Sequence, residues 1–180
     1  MNFKILHQRS GDDSLIEPLL DRCFGFDRHN KTVYRLREGA APVEKLSFVA
    51  LAADQGLLGS LRFWPVRIGP ARAILLGPLA VEPSLQGAGI GRGLLGHGLT
   101  HAKRLGAGIC VVVGAPDYYA PFGFENAAGH GLILPGPVEP ERFQVLEITP
   151  GALDGVTGLI VKAGNDVGKS GRSLRSGSAA

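Results

Sequence analysis

One succession constrains this chain more than anything else in it: a long apolar strand signal, a glycine turn, a helix and a second apolar strand, all between residues 71 and 113. Ala71–Val81 reads as a strand, and Glu82–Gly91 as a loop with Pro83 and several glycines. Across Gly91–Gly106, Leu94, Leu95, Leu99, Ala102 and Leu105 recur at helical spacing. Ile109–Val113 is wholly apolar, as befits a strand buried on both faces. Two strands joined through a crossover helix lie parallel, so this stretch is a βαβ unit. Gly93, Gly96 and Gly98 each cost the helix roughly 1 kcal/mol relative to alanine. That cost implies something packed closely against it.

Upstream the pattern differs. Phe3–His7 is a strand candidate. Ser14-Leu15-Ile16-Glu17 has the form of a capping box ahead of a helix carrying Leu15, Ile16, Leu19, Leu20, Cys23 and Phe24, with Gly25 as its stop. Pro18 belongs in the first turn of that helix or bends it. Arg28–Arg37 reads as a second, short helix. Glu44–Ala53 and Leu57–Ile68 are strand candidates, with turn signals at Asp54-Gln55-Gly56 and Gly69-Pro70, so they meander antiparallel into Ala71–Val81. Downstream, Asp117–Pro121 reads as a helical turn, and Gly131–Leu134 and Phe143–Ile148 as closing strands. The class is therefore α/β (α+β): a mixed, mostly antiparallel sheet with one crossover.

A length of 180 residues with 44% apolar composition suits one core, assigned to residues 1–163. Residues 164–180 hold four Gly, four Ser and two Ala, too little apolar surface to offset ordering entropy, so a flexible tail is expected. No run approaches the roughly 20 apolar residues of a membrane span, and Met1-Asn2-Phe3-Lys4-Ile5 does not open a secretory signal. A soluble cytoplasmic protein is expected. Of 19 Lys and Arg residues, Lys169, Arg172 and Arg175 lie in the tail, where Asp166 is the one acid; the body keeps 16 basic against 15 acidic. With 7% aromatics and no basic run among them, the sequence argues against nucleic-acid binding. Cys110, inside an apolar run, reads as an inert buried thiol, and Cys23 and Cys110 are not expected to bridge. His97 and His101 stand four apart on the helix without the glutamate of a zinc-protease pattern, so no metal is expected.

Glycine patterns compete for a phosphate. Ala163-Gly164-Asn165-Asp166-Val167-Gly168-Lys169-Ser170 approximates a P-loop, but no helix signal follows it. Gly91-Arg92-Gly93-Leu94-Leu95-Gly96 matches a dinucleotide fingerprint, with Asp117 near the ribose-binding distance, yet the chain shows one crossover where a doubly wound sheet needs several. Gln86-Gly87-Ala88-Gly89-Ile90-Gly91 lies between strand and helix, where successive N–H groups and the helix N-terminus can converge on an anion. Arg92 adds a charge-assisted contact.

Taken in order, Leu76-Gly77-Pro78-Leu79-Ala80-Val81-Glu82-Pro83, the turn Gln86–Gly91, the apolar helix, the buried strand and Tyr118-Tyr119-Ala120-Pro121-Phe122-Gly123-Phe124 resemble the GNAT N-acetyltransferase superfamily, in a bacterial branch marked by a Tyr-Tyr-x-x-Phe-Gly-Phe element. The resemblance covers most of residues 3–149. It implies a strongly twisted mixed sheet flanked by helices, in which the strand ending at Val81 splays from Ile109–Val113. Acetyl-CoA is the implied co-substrate. Backbone groups of Leu79, Ala80 and Val81 would pair with pantetheine, and Gly77-Pro78 suits the family's β-bulge. Gln86, Gly87, Ala88, Gly89, Ile90, Gly91 and Arg92 would hold the diphosphate. A backbone N–H near Leu79–Val81 would stabilise the oxyanion of acyl transfer. Tyr119, four residues before Gly123, matches the family's proton-donating tyrosine, with Tyr118 the competing choice. Glu82, Glu44 and Asp117 are candidate bases, Trp64 and Phe63 candidate pocket residues, and Phe122 and Phe124 core. The asparagine many members carry after the splayed strand is missing, since none lies between Asn30 and Asn126.

The function implied is acetyl transfer to a primary amine. A non-catalytic acyl-CoA-binding module, and a nicotinamide-dinucleotide protein using Gly91–Gly96, are the alternatives. The acceptor stays open, and dimerisation, common in the superfamily, makes a homodimer an expectation.

Overall fold

The computed structural model describes residues 2–163. The flexible-tail expectation and all but the first residue of the P-loop-like match lie outside them. In chain order the elements are β1 (Lys4–His7), α1 (Asp13–Phe24), α2 (Thr32–Arg35), β2 (Phe48–Leu51), β3 (Leu57–Ile68), β4 (Ala71–Val81), α3 (Ile90–Arg104), β5 (Ile109–Val113), α4 (Pro116–Tyr119), β6 (Glu125–Asn126), β7 (Leu132–Ile133), β8 (Phe143–Glu147) and β9 (Gly158–Lys162). The sheet runs β1-β2-β3-β4-β5-β8-β6, antiparallel except where β4 meets β5. β9 extends it along the end of β3 and pairs parallel with β7.

Alternation along the strands distributes the core. Phe48, Ala50, Leu61, Phe63, Leu76 and Leu79 face α3, packing with Ile90, Leu94 and Leu95. Their strand neighbours Val49 and Ala80 turn the other way, onto Ile16, Leu19 and Leu20 of α1. Helices thus cover opposite faces, and Leu75, Val111, Val145 and Ile160 continue the α1 face into a further cluster.

The strands read from β3 to β5 match their expected bounds, while β2 is shorter because Glu44–Leu46 forms a 3-10 turn. Neither β6 nor β9 was expected; both are short edge strands whose pairing comes from β8 and β3. The capping box is not formed. α1 begins at Asp13, Ser14 Oγ donates to the Gly11 carbonyl at 3.0 Å, and Glu17 is drawn away to Arg28 at 2.7 Å and Arg62 at 3.3 Å. Two buried guanidinium groups are stronger partners than a helix-end amide. Pro18 lies beyond the first turn, inside the helix.

The decisive irregularity is in β4. Leu61 pairs with Leu79 and Phe63 with Leu76, so Gly77 and Pro78 together oppose Arg62. This is a bulge, which bends the strand and strengthens its twist. On its other edge β4 meets β5 only at Ile74–Cys110 and Leu75–Val111. β5 stays bound to β8 over its whole length while β4 veers off, and the two strands part.

The glycines of α3 explain themselves unequally. A Cβ on Gly98 would stand 2.7 Å from Phe63 and 2.8 Å from Leu61, and one on Gly93 3.2 Å from Phe3. At Gly96 the nearest neighbour is Phe122 at 3.8 Å, an ordinary contact. Gly98→Ala is therefore expected to destabilise by about 1–3 kcal/mol through overpacking. Gly96→Ala is expected to stabilise by about 0.5–1 kcal/mol through helix propensity. Urea unfolding of the two variants checks the contrast, and equal shifts would contradict it.

Candidate active site

Where β4 and β5 part, a cavity of about 720 Å³ opens, bordered by Gly77, Pro78 and Leu79 on one side and Val113, Gly114 and Tyr119 on the other. The backbone of β4 presents polar groups to it. The Glu82 N–H donates to the Leu58 carbonyl at 2.9 Å, and Ala80 pairs with Ser60 in the same ladder. An antiparallel strand alternates the side to which its amides point. Ala80 thus turns its backbone groups toward β3. Leu79 and Val81 turn theirs outward; the Val81 carbonyl there accepts from Cys23 Sγ at 3.3 Å.

The turn entering α3 is open. Gly87 and Gly89 adopt φ of 87° and 84°, conformations that L side chains avoid, and a Cβ on either would meet nothing within 4 Å. The first intrahelical bond runs from the Gly93 N–H to the Gly89 carbonyl, and no side chain caps the helix. The N–H groups of Ile90, Gly91 and Arg92 are consequently left over at the positive end of a four-turn helix. Gln86 reaches the cavity, and Arg92 stands exposed beside the turn.

The two adjacent tyrosines point to different places. Tyr118 is half-buried with its hydroxyl against α3: a Cβ on Gly91 would stand 2.5 Å from it. Tyr119 is buried at the base of the gap, its ring seated on Gly114 and edge-on to Phe124. Burial pushes the Tyr119 hydroxyl well above the ordinary tyrosine range, reinforced by Tyr118 and Cys110 and opposed by Arg142 and Arg37. Tyr118 is also raised by burial, with Arg92 opposing. Gly114 itself is held by Gln144, whose amide donates to its carbonyl at 3.0 Å.

A second cavity of about 370 Å³ adjoins the first, sharing Arg28, Tyr34, Arg37 and Pro78 with it. Trp64 lines it and donates its indole N–H to the Gly77 carbonyl at 2.7 Å, whereas Phe63 is wholly buried under α3. None of the expected bases borders either cavity. Glu82 is paired with Arg22 at 2.8 Å, Glu44 lies in the 3-10 turn before β2, and Asp117 is exposed on α4. The carboxylates that do border them are Glu17, Glu38 and Glu139. Arg37, buried between the cavities, escaped the sequence reading, because nothing in Leu36-Arg37-Glu38 distinguishes it from a solvated arginine.

His97 and His101 stack with ring centroids 4.2 Å apart beside Phe48, and among the described residues no group of three His, Cys, Asp or Glu is placed to hold a metal. No helix among them is long and apolar enough to cross a membrane.

Comparison with known proteins meets this geometry. The profile of the acetyltransferase (GNAT) family matches residues 14–124. The uncharacterized N-acetyltransferase YhbS of Escherichia coli strain K12 is 35% identical over 147 residues, spanning 81% of this chain and 87% of that protein. The crystal structure of Escherichia coli YhbS in complex with CoA superposes with a TM-score of 0.78 at 32% identity, covering 91% of both chains. A GNAT family acetyltransferase from Brucella melitensis in complex with acetyl-CoA gives a TM-score of 0.66 at 29% identity, covering 90% of this chain and 96% of that one.

Cys110 is fully buried beneath Tyr119, and burial drives its thiol far above the ordinary range. Cys23, partly exposed, is raised more modestly. Since the thiolate is the reactive form, Cys110 is expected to resist a disulfide reagent at pH about 8 until the protein unfolds. Mass spectrometry after native and urea-unfolded labelling tests this; native labelling of Cys110 would contradict the packing.

Proposed function

The chain belongs to the acetyltransferase (GNAT) family, and from that premise we propose that it moves an acetyl group from acetyl-CoA to a primary amine, with Tyr119 as proton donor to the departing thiolate. The observation that carries this reading is the parted pair β4 and β5, with Leu79 along one wall, its backbone turned away from β3, and a buried tyrosine at its base. Pantetheine would pair with Leu79 and Val81 as an added strand. The diphosphate would sit on the N–H groups around Gly87, Gly89, Ile90 and Gly91, with Arg92 adding charge. The open space over Gly87 and Gly89 fits such a group.

The amine enters by the adjoining cavity, loses a proton to solvent or a bordering carboxylate, and attacks the thioester carbonyl carbon. The Leu79 N–H is the donor best directed at the resulting oxyanion. As the C–S bond breaks, Tyr119 gives its proton to the sulfur, and the proton that the newly acylated nitrogen sheds returns to Tyr119 through water. Its raised pKa suits this role, because the hydroxyl keeps its proton at neutral pH. Tyr118, turned toward Gly91, is the better placed of the two to line the path of the phosphates.

Calorimetry is expected to show acetyl-CoA binding to the wild type and its loss in Gly89→Glu, which puts a carboxylate in the turn; equal binding by both proteins would remove the reading. Tyr119→Phe is expected to lower kcat about 10²-fold with acetyl-CoA affinity unchanged. Because the Tyr119 pKa is raised, the proton-donating form persists as pH rises through the ordinary tyrosine value of about 10. A kcat profile from pH about 6 to 9.5 should therefore show no alkaline loss that Tyr119→Phe abolishes.

A further inference from the structure

Three arginines are buried at the acceptor end of the site: Arg28, Arg37 and Arg62, exposed by 3%, 9% and 7%. Two are fully engaged. Arg28 binds Glu17 at 2.7 Å and Asp21 at 3.0 Å, with Tyr34 Oη at 3.2 Å. Arg62 binds Asp13, Glu17 and the side-chain amide oxygen Oε1 of Gln8. Arg37 has no carboxylate partner among the described residues, and its Nε makes no hydrogen bond. Its guanidinium lies 4.9 Å from the Tyr34 ring centroid and 5.9 Å from that of Trp64. Nη2 reaches to 3.0 Å from where a Cβ on Gly77 would stand, at the bulge. Burial lowers its pKa to about 10, with Tyr34 opposing the shift and Arg62 adding to it, so the group stays charged at neutral pH.

A buried cation without an anion costs several kcal/mol, and a guanidinium is the side chain best shaped to hold a carboxylate in two parallel bonds. Arg37 borders both cavities. It stands near enough to Tyr119 for each charge to bear on the other group. The diphosphate of CoA cannot be its partner. Gly77 and Val81 are four residues apart on β4, roughly 13 Å at about 3.3 Å per residue, and the glycine turn lies beyond Val81. With Arg28 and Arg62 answered by Asp13, Glu17 and Asp21, Arg37 is the buried cation bordering the acceptor cavity that no carboxylate among the described residues pairs.

We propose that Arg37 is the carboxylate-binding residue of the acceptor pocket, and that the acceptor is an amine that also carries a carboxylate, of the amino-acid type. This rests on the acetyl-transfer reading above. The carboxylate docks on Arg37 beneath Tyr34 and Trp64, which holds the amine toward the thioester beside Tyr119.

The test uses matched sets: each L-amino acid, its amide and its decarboxylated amine, with short peptides bearing free or amidated C-termini. Thiol release is measured at saturating acetyl-CoA for wild type, Arg37→Gln and Arg37→Lys. Wild type should prefer the carboxylate members. Arg37→Gln should lower kcat/KM for them about 10- to 100-fold, mainly through KM, leaving the acetyl-CoA KM unchanged. Arg37→Lys should recover part of the loss. Preference for free amino acids over free-ended peptides, or the reverse, tells the two sources of carboxylate apart. Amides or decarboxylated amines used as well as the acids, or a selectivity that Arg37→Gln leaves unmoved, overturns the proposal. If no amine turns over, calorimetry of N-acetyl amino acids against CoA-loaded protein decides it: binding lost in Arg37→Gln supports the site, and no binding to wild type overturns it. Failure of acetyl-CoA itself to bind sinks the transfer reading instead, and the same titration without CoA still judges Arg37. Arg37→Met should raise Tm, as expected for a charge kept for a ligand; a lowered Tm with selectivity intact marks a merely structural arginine.

Discussion

Everything at the site depends on a parallel pairing that stops early. β4 and β5 share register at Ile74–Cys110 and Leu75–Val111 and nowhere else. The bulge at Gly77 and Pro78 bends β4 away, while β8 keeps β5 in place. An interrupted ladder inside a sheet leaves amides and carbonyls without partners, a state a folded chain tolerates only where water or a ligand replaces them. The gap is thus both a packing defect and a binding surface. Its edge is already written in strand geometry, ready to accept an extended chain by backbone pairing.

The surrounding packing keeps that gap from closing. α3 sits low on the sheet because Gly98 brings its backbone onto Phe63 and Leu61. Gly114 performs the same service for Tyr119, since any side chain there would occupy the ring's seat. On the opposite face, Glu17 of α1 binds Arg28 and Arg62 together, which fixes the segment after α1 over the bulge. In these pairs the guanidinium is buried while Glu17 stays half exposed, so each arginine keeps a partner that water also reaches. Arg37 is left as the charge that the protein itself does not neutralise.

Much of this was legible in the residues. The crossover unit, the bounds of β3, β4 and β5 and the glycine turn follow from periodicity and glycine or proline placement, which are local, whereas the bulge at Gly77-Pro78 was implied by the family resemblance. The GNAT resemblance was carried by the motif residues between 76 and 125, taken in the family's order of elements. What went astray was non-local. Ser14 and Glu17 have the spacing of a capping box, yet arginines 11 and 45 positions along the chain claim Glu17. Glu82, Glu44 and Asp117 were as eligible for the base as any carboxylate, and none of them is among the residues bordering either cavity.

The sequence by itself determined the order of elements and the turn beside α3, because each rests on hydrophobic period or on backbone freedom within a few residues, and its motif residues carried the resemblance to the GNAT family. Tertiary structure alone decided which of two adjacent tyrosines reaches the base of the gap, which amides of β4 face it, and which of three arginines keeps its charge unanswered. Those outcomes depend on burial and on partners brought together from distant parts of the chain. Desolvation acts on a side chain only after the fold has chosen its neighbours.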